Sequence, residues 1–374
     1  MIVIKEVRTK KDMRAFVHFP LRLYKSSPYF VPPLYGDEMK LLACGGKTDE
    51  AEAVFYLAVK DGITVGRIQG ILQKTYNRLH NTKQVRFSRF DCIDDQEVAK
   101  ALFDAVKAWA KEKGMTELCG PLGYSDLDRE GLLVEGFEEN STFEEQYNYP
   151  YYGKLIENEG FEKDVDWLEY ELRSPEKRNE MLSRVANRAL EIHKLHVASN
   201  RMSKRKYIAK YRNGFFDCLD ECYRHLYGTV PIDKKMQNEL ISQFLLVVNK
   251  KYLVFICDEA DRVVGFGLCF PAIGDALKKS GGRLTPMALF RLLRAVKRPK
   301  TIDLALVAVR PAYQNAGINA ILLDGILDML EKGGVQTCET NLNLETNTAV
   351  QAQWKYFSAR QHKRRRAYKK QIGE

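Results

Sequence analysis

VAVRPAYQNAGINAILLDGIL, residues 307–327, decides how this chain is read. An apolar run suited to a buried strand ends at Pro311, a loop closes at Gly317, and an apolar run with helical spacing begins at once. The first N–H groups of a helix have no acceptor within it and carry partial positive charge, so this junction suits a pyrophosphate. Gly317 removes a Cβ where such a ligand would press on the backbone.

Working outward, a strand is predicted from Ile302 to Val309, a helix from about Gly317 to Lys332 ended by Gly333 and Gly334, a strand over 337–344, a helix from about Thr348, and a basic last strand. Upstream, residues 251–270 read as two strands across an acidic turn. The first half follows the same plan. Residues 2–7 are a short strand, followed by helical spacing interrupted at Pro20. Val54 to Leu72 is a hairpin turning at Asp61 and Gly62. A strand around 85–90 leads through Asp94 and Asp95 into a helix from Gln96 to Lys113, and residues 147–172 read as helix, glycine stop at Gly160 and strand. At 374 residues the chain is long enough for two cores, and the pattern resets at Ser174 and Pro175, so the expected domains are 1–174 and 175–374.

Val309, Pro311, Gln314, Gly317 and Ile318 match the acetyl-coenzyme A loop of the GNAT superfamily, which the stretch closely resembles, and Asn319 departs from it where that loop has a small residue. VGRIQGI at 65–71, Gly120 with Pro121, GLLVEGF at 131–137, YNYPYYGKLIENEGF at 147–161 and GFGLCFPAIGDALKKSGGRLTP at 265–286 resemble an uncharacterised two-domain bacterial family of GNAT-like proteins, across nearly the whole chain. The resemblance implies an α/β (α+β) chain of two tandem GNAT-like folds, each a mixed, mostly antiparallel sheet flanked by helices. It implies acetyl-coenzyme A or another acyl-coenzyme A as co-substrate, held by Val307, Ala308, Val309, Gln314, Asn315, Ala316, Gly317, Ile318, Asn319, Ala320 and Asn347. The first half has no such loop, because Asp91, Asp94 and Asp95 would repel a pyrophosphate, and it reads as a degenerate copy.

Acyl transfer to an amine needs a backbone N–H to polarise the thioester carbonyl, near the splay between strands 304–309 and 337–344. An amine of pKa ~10.4 arrives protonated, so a carboxylate must take its proton; Asp303, Glu339 and Glu345 are the candidates. A tyrosine would protonate the departing thiolate. Where the superfamily carries it, seven residues beyond Asn347, this chain has Trp354, and Tyr356 stands two residues further on. Two other readings use the same duplicated fold: a transferase whose donor is a charged transfer RNA or a fatty acyl carrier, and an inactive ligand-binding or protein-interaction module.

Composition is that of a globular protein, 45% apolar and 29% charged with a net charge of +10. The N-terminus lacks the apolar core of a secretory signal and no run approaches ~20 apolar residues, so a soluble cytoplasmic protein with no membrane partner is expected. The partner expected is a small-molecule or peptide amine acceptor, with nucleic acid only in the transfer-RNA reading. The eight cysteines read as free, buried thiols; Cys218 and Cys222 have no second pair at zinc-finger distance. His193 and His196 read as strand residues facing opposite ways, so no metal is expected. Residues 272–298 have helical spacing and a basic end and are expected to wall a pocket. The cations of 362–370 read as the charged cover of an edge strand.

Overall fold

The structure, a computed structural model, describes every residue except Lys47, Asn315, Gly333 and Glu374. Two compact units result: the first from Met1–Leu168, Gly274–Leu289 and His362–Glu374, the second from Glu169–Ile273 and Phe290–Gln361. The expected division at one point, near residue 174, thus stands beside units that each draw on more than one stretch of chain.

The first unit runs β1 (Ile2–Glu6), α1 (Lys10–Leu23), α2 (Tyr35–Ala43), β2 (Ala51–Lys60), β3 (Ile63–Gln73), α3 (Lys74–His80), β4 (Gln84–Cys92), α4 (Gln96–Glu112), β5 (Glu117–Gly120), β6 (Leu132–Glu135), α5 (Tyr151–Asn158) and β7 (Glu162–Arg173), whose last residues belong to the second. The β2–β3 turn is the predicted one, with Asp61 and Gly62 both at positive φ. Val98, Leu102 and Val106 of α4 pack with Ile68, Val85 and Phe87 of the sheet, while Phe16, Val17 and Leu42 of α1 and α2 form a second core with Phe55, Leu57 and Ile71.

Pro20 does not interrupt α1. A proline inside a helix strips the carbonyl four residues back of its donor. Here that carbonyl, Phe16, accepts from the Arg67 guanidinium at 3.0 Å, a partner supplied from β3.

The second unit continues with α6 (Glu180–Ile192), β8 (His196–Val197), α7 (Lys204–Tyr223), α8 (Lys234–Phe244), β9 (Leu253–Cys257), β10 (Val263–Pro271), α9 (Gly274–Lys278, in the first unit), α10 (Pro286–Lys297, in the first unit up to Leu289), β11 (Thr301–Val309), α11 (Ile318–Lys332), β12 (Thr337–Thr340), β13 (Asn343–Leu344), α12 (Thr348–Gln351) and β14 (Ser358–Gln371), which ends in the first unit. Its strands order β7-β12-β11-β10-β9-β8, with β13 also on β7. The expected strand over 337–344 is two short ones, and His193 follows α6 instead of lying on a strand. The core comprises Ile321, Leu322, Ile326 and Leu327 of α11 against Ile256, Val264, Ile302 and Leu304.

β14 is not an edge strand: in the first unit it lies between β5 and β7. Its cations are neutralised internally. Arg365, with no exposed surface, meets Glu145 at 3.1 Å; Arg366 and Arg364 meet Asp166 at 2.8 and 3.2 Å; and Lys369 meets Asp164 at 2.9 Å. Burial pushes the Asp166 carboxyl up, but Arg366, Lys163 and Arg364 together hold it below the ordinary range.

Candidate functional site

In the second unit β11 pairs in parallel with β12 only from Thr301 to Leu304, opposite Thr337 to Thr340. Asn341 closes the pairing, its N–H bonding the Leu304 carbonyl at 3.0 Å and its carboxamide the Ala305 carbonyl at 3.4 Å. On the other side of β11, Ala305 is the extra residue of a bulge, because pairing passes from Leu268–Leu306 to Cys269–Leu304. A bulge bends and twists its strand, so β11 leaves β12 here and the expected splay is formed.

Beyond the bulge, the edge of β11 is held by side chains of this chain. The Tyr223 hydroxyl, at the end of α7, donates to the Val307 carbonyl at 3.1 Å and accepts from the Val307 N–H at 3.3 Å. The Val309 carbonyl accepts from the Cys222 thiol at 3.4 Å and the Gln314 carboxamide at 3.2 Å. Ala308 is buried against β10, with Phe266 as its strand partner. A group that both donates to and accepts from one residue is bonded as a secondary amide on a neighbouring strand would be. Sequence reasoning missed Tyr223, because nothing in its local pattern relates it to a strand 84 residues away.

After Val309 a 3₁₀ turn, Pro311–Tyr313, leads to Gln314 and the loop; Asn315 lies outside the described residues. Ala316 is half-buried, Gly317 has φ +75°, Ile318 and Ala320 are buried at the start of α11, and Asn319 is exposed. A Cβ on Gly317 would come within 3.2 Å of Val185 and 3.6 Å of Ala189 on α6. In this structure the left-handed backbone and the packing of α6 account for the glycine.

Contacts at both ends show that α6 runs antiparallel to α11. Arg178, just before α6, reaches Asp324, Asp328 and Glu331 at 2.6, 2.7 and 2.6 Å, and the Ser183 hydroxyl donates to Asp324 at 2.6 Å. Replacing Arg178 with alanine leaves three carboxylates on one helix face without their shared cation. The variant is expected to unfold at lower denaturant concentration by about 1–3 kcal/mol, with an unchanged m-value.

Asp303 and Glu339 are opposite each other on β11 and β12, and Glu339 is opposite Glu171 on β7. Three carboxylates therefore lie side by side on one face, one residue before the strands part. Asp303 is buried and Glu339 half-buried, while Glu171 holds Arg173 at 2.8 Å. Glu345 follows β13. Asn347 caps α12 by accepting the Val350 N–H at 3.3 Å. The helix expected to continue from there becomes a 3₁₀ turn, Ala352–Tyr356; Trp354 is buried in the core and Tyr356 packs half-buried against it. The splay thus gathers Asp303, Glu339 and the β11 edge, and adds Tyr223.

The first unit repeats the geometry with other contents. β4 pairs in parallel with β5 only from Gln84 to Arg86, and a bulge interrupts its pairing with β3 between Arg67–Asp91 and Gln69–Ser88. Arg89 sits in that bulge at φ +48°. Its guanidinium forms a two-pronged pair with Glu38 at 2.9 and 2.8 Å and donates to the Gln69 carboxamide at 2.7 Å. The adjoining cavity, about 20 Å³, has room for one water and is lined by Tyr24, Glu38, Arg67, Arg89, Asp91 and Arg129. Burial holds the Arg129 guanidinium down at about 10. Asp95 takes the N–H groups of Glu97 and Val98 at 3.0 and 3.4 Å, so α4 turns its N-terminus toward its own carboxylate.

Of the cysteines, Cys44 is exposed and Cys222 half-buried; the other six are buried. His196, Cys257 and Asp261 bring ligand-type atoms within 4.8 Å of one another. The Asp261 carboxylate already meets the Lys210 ammonium and the Tyr211 hydroxyl, so its charge is balanced within the chain.

No family model matches the chain. It is 26% identical to protein YghO of Escherichia coli, over 99% of this chain and 95% of that one. It is 24% identical to a Caulobacter vibrioides protein named bacterial ceramide synthase, over 98% and 96%. Among solved structures, a tandem GNAT protein from the clavulanic acid biosynthesis pathway superposes with a TM-score of 0.58 at 11% identity, covering 100% of this chain and 99% of the other. A GCN5-related N-acetyltransferase from Sphaerobacter thermophilus gives 0.52 at 11% identity, covering 100% and 96%.

Proposed function

From a chain with the tandem GNAT fold, we propose an acyltransferase that moves an acyl group from coenzyme A to an amine, using the second unit. The observation that carries this reading is the splay: a strand edge with Val307 and Val309 groups, freed from β12 by a bulge, leads into the glycine turn and N-terminus of α11. A pantetheine chain, which carries secondary amides, can replace the Tyr223 hydroxyl on Val307, and the pyrophosphate then lies toward the first turn of α11.

Asp303 or Glu339 takes the proton of the arriving ammonium. The amine nitrogen attacks the thioester carbon, a β11 N–H stabilises the oxyanion, and the carbon–sulfur bond breaks as the amide forms. Tyr223 gives its proton to the departing thiolate, the part for which Trp354 is unsuited, and regains one from the second proton that the attacking nitrogen sheds as the amide forms. A ceramide is an amide of an acyl group with a long-chain amino alcohol, so the relative named ceramide synthase makes such an amine the first acceptor to test.

Titration calorimetry with acetyl-coenzyme A and with long-chain acyl-coenzyme A tests the donor. Saturable binding is expected, with loss of at least about a hundredfold in affinity in Gly317→Trp. The exposed control Ile63→Trp on the first unit should leave it intact. Absence of binding by the wild type would favour a carrier-borne donor or a binding module.

A further inference from the structure

Residues 278–300, KKSGGRLTPMALFRLLRAVKRPK, hold eight cations and no carboxylate. Within them α10 has two unlike faces. Ala288 and Leu292, four residues apart, are fully buried. Met287, Phe290 and Leu293 are 58%, 62% and 48% exposed, and Leu284, one turn before, is 48% exposed. Within α10 a spacing of three keeps Met287, Phe290 and Leu293 on one side, opposite Ala288 and Leu292, so the helix turns an apolar stripe outward as well as inward.

The cations separate in the same way. Lys278 turns inward to the Pro28 carbonyl and Asn140, and Arg283 lies over the Tyr35 ring. Lys279, Arg291, Arg294, Lys297, Arg298 and Lys300 have no ion pair among the described residues. An outward apolar stripe flanked by unpaired cations is the pattern of a helix that lies in a membrane interface, with its side chains among acyl chains and its cations at the headgroups.

We propose that α10 docks the protein on the surface of an anionic lipid bilayer, with Met287, Phe290 and Leu293 inserted. Charge complementarity selects this occupant. A second copy meeting α10 about a two-fold axis would bring cation against cation with no carboxylate between them. A nucleic acid would satisfy the cations and leave the apolar stripe facing phosphates. The expectation of no membrane partner came from the lack of a spanning segment, and among the described residues no helix is long and apolar enough to cross. An interfacial helix needs no such length. This inference stands on α10 alone and does not depend on the acyl-transfer reading.

The test is co-sedimentation of the full chain with vesicles of mixed phosphatidylglycerol and phosphatidylcholine, against phosphatidylcholine alone. Partition into the anionic vesicles is expected, weakened by added salt. Arg294→Glu with Lys297→Glu, and separately Phe290→Asp with Leu293→Asp, should each lower it at least about tenfold while leaving the thermal transition in place. Equal partition into neutral vesicles, or partition unmoved by either pair, overturns the proposal. So does a lipid-free dimer that Phe290→Asp dissociates, which would make a second copy the occupant.

Discussion

Replacing Arg89 with alanine is expected to destabilise the first unit by about 3–5 kcal/mol, measured by denaturant unfolding. The guanidinium makes two bonds to Glu38 and one to Gln69, and the Glu38 side chain is only 10% exposed. Alanine leaves that carboxylate in a site with little water. It also keeps the left-handed backbone, which costs a non-glycine residue about 1–2 kcal/mol and is held in place by the arginine's bonds. Arg89→Gly should therefore be milder than Arg89→Ala by about 1 kcal/mol, and Arg89→Met with Glu38→Leu milder than either, since no charge is stranded.

The same pair fixes a pH response. Burial pushes the Glu38 carboxyl up, but Arg89, with Arg67 and Arg129 behind it, more than reverses this and holds it at about 2, against an ordinary value of 4.5. A carboxyl lowered on folding stabilises the fold above its unfolded value and loses that contribution as pH falls toward the folded one. Wild-type stability should accordingly drop between pH 4.5 and about 2, and the Arg89→Met, Glu38→Leu protein should lack that share of the drop.

Replacing Tyr223 with phenylalanine is expected to lower turnover with a long-chain amine acceptor by about a hundredfold, while acyl-coenzyme A affinity holds or tightens. The hydroxyl is bonded to both the N–H and the carbonyl of Val307, and its removal frees those groups for an incoming amide. A rise in affinity with unchanged turnover would make Tyr223 a plug on the strand edge and exclude it as the acid. The alkaline limb of the pH–rate profile separates the two roles again, because only loss of an acid alters it.

The docking proposal for α10 fits this chemistry without resting on it. A long-chain amine and a long acyl chain partition into bilayers, and an enzyme seated at the interface meets both at high local concentration. The helical spacing of this segment was visible in the sequence; which apolar residues aim outward was not, since Ala288 and Leu292 also have helical spacing and face the other way.

Local chemistry made several elements legible. Asp61–Gly62 can hardly be anything but a hairpin turn, because both residues must take positive φ, and Asp95 with Gly114 marks the ends of α4. The junction at 307–327 is likewise a strand ending at a proline and a helix starting after a glycine. These features depend on residues within one or two turns of each other. Pro20, β14 and Tyr223 depend on partners far along the chain. Pro20 is tolerated because Arg67 bonds the Phe16 carbonyl, and β14 can carry its cations inside the sheet because Asp164, Asp166 and Glu145 pair with them from about 200 residues away in sequence, Arg365 being fully buried.

Sequence alone therefore determined most of the strands and helices and that a strand, a glycine turn and a helix follow one another at β11, because dihedral preference, capping and hydrophobic period are local. Tertiary structure alone decided which charges are buried, where the bulges at Ala305 and Arg89 open the sheets, and which side chain lies on the β11 edge. Those outcomes turn on electrostatic and hydrogen-bond partners brought together only by folding, and no local pattern encodes the partner.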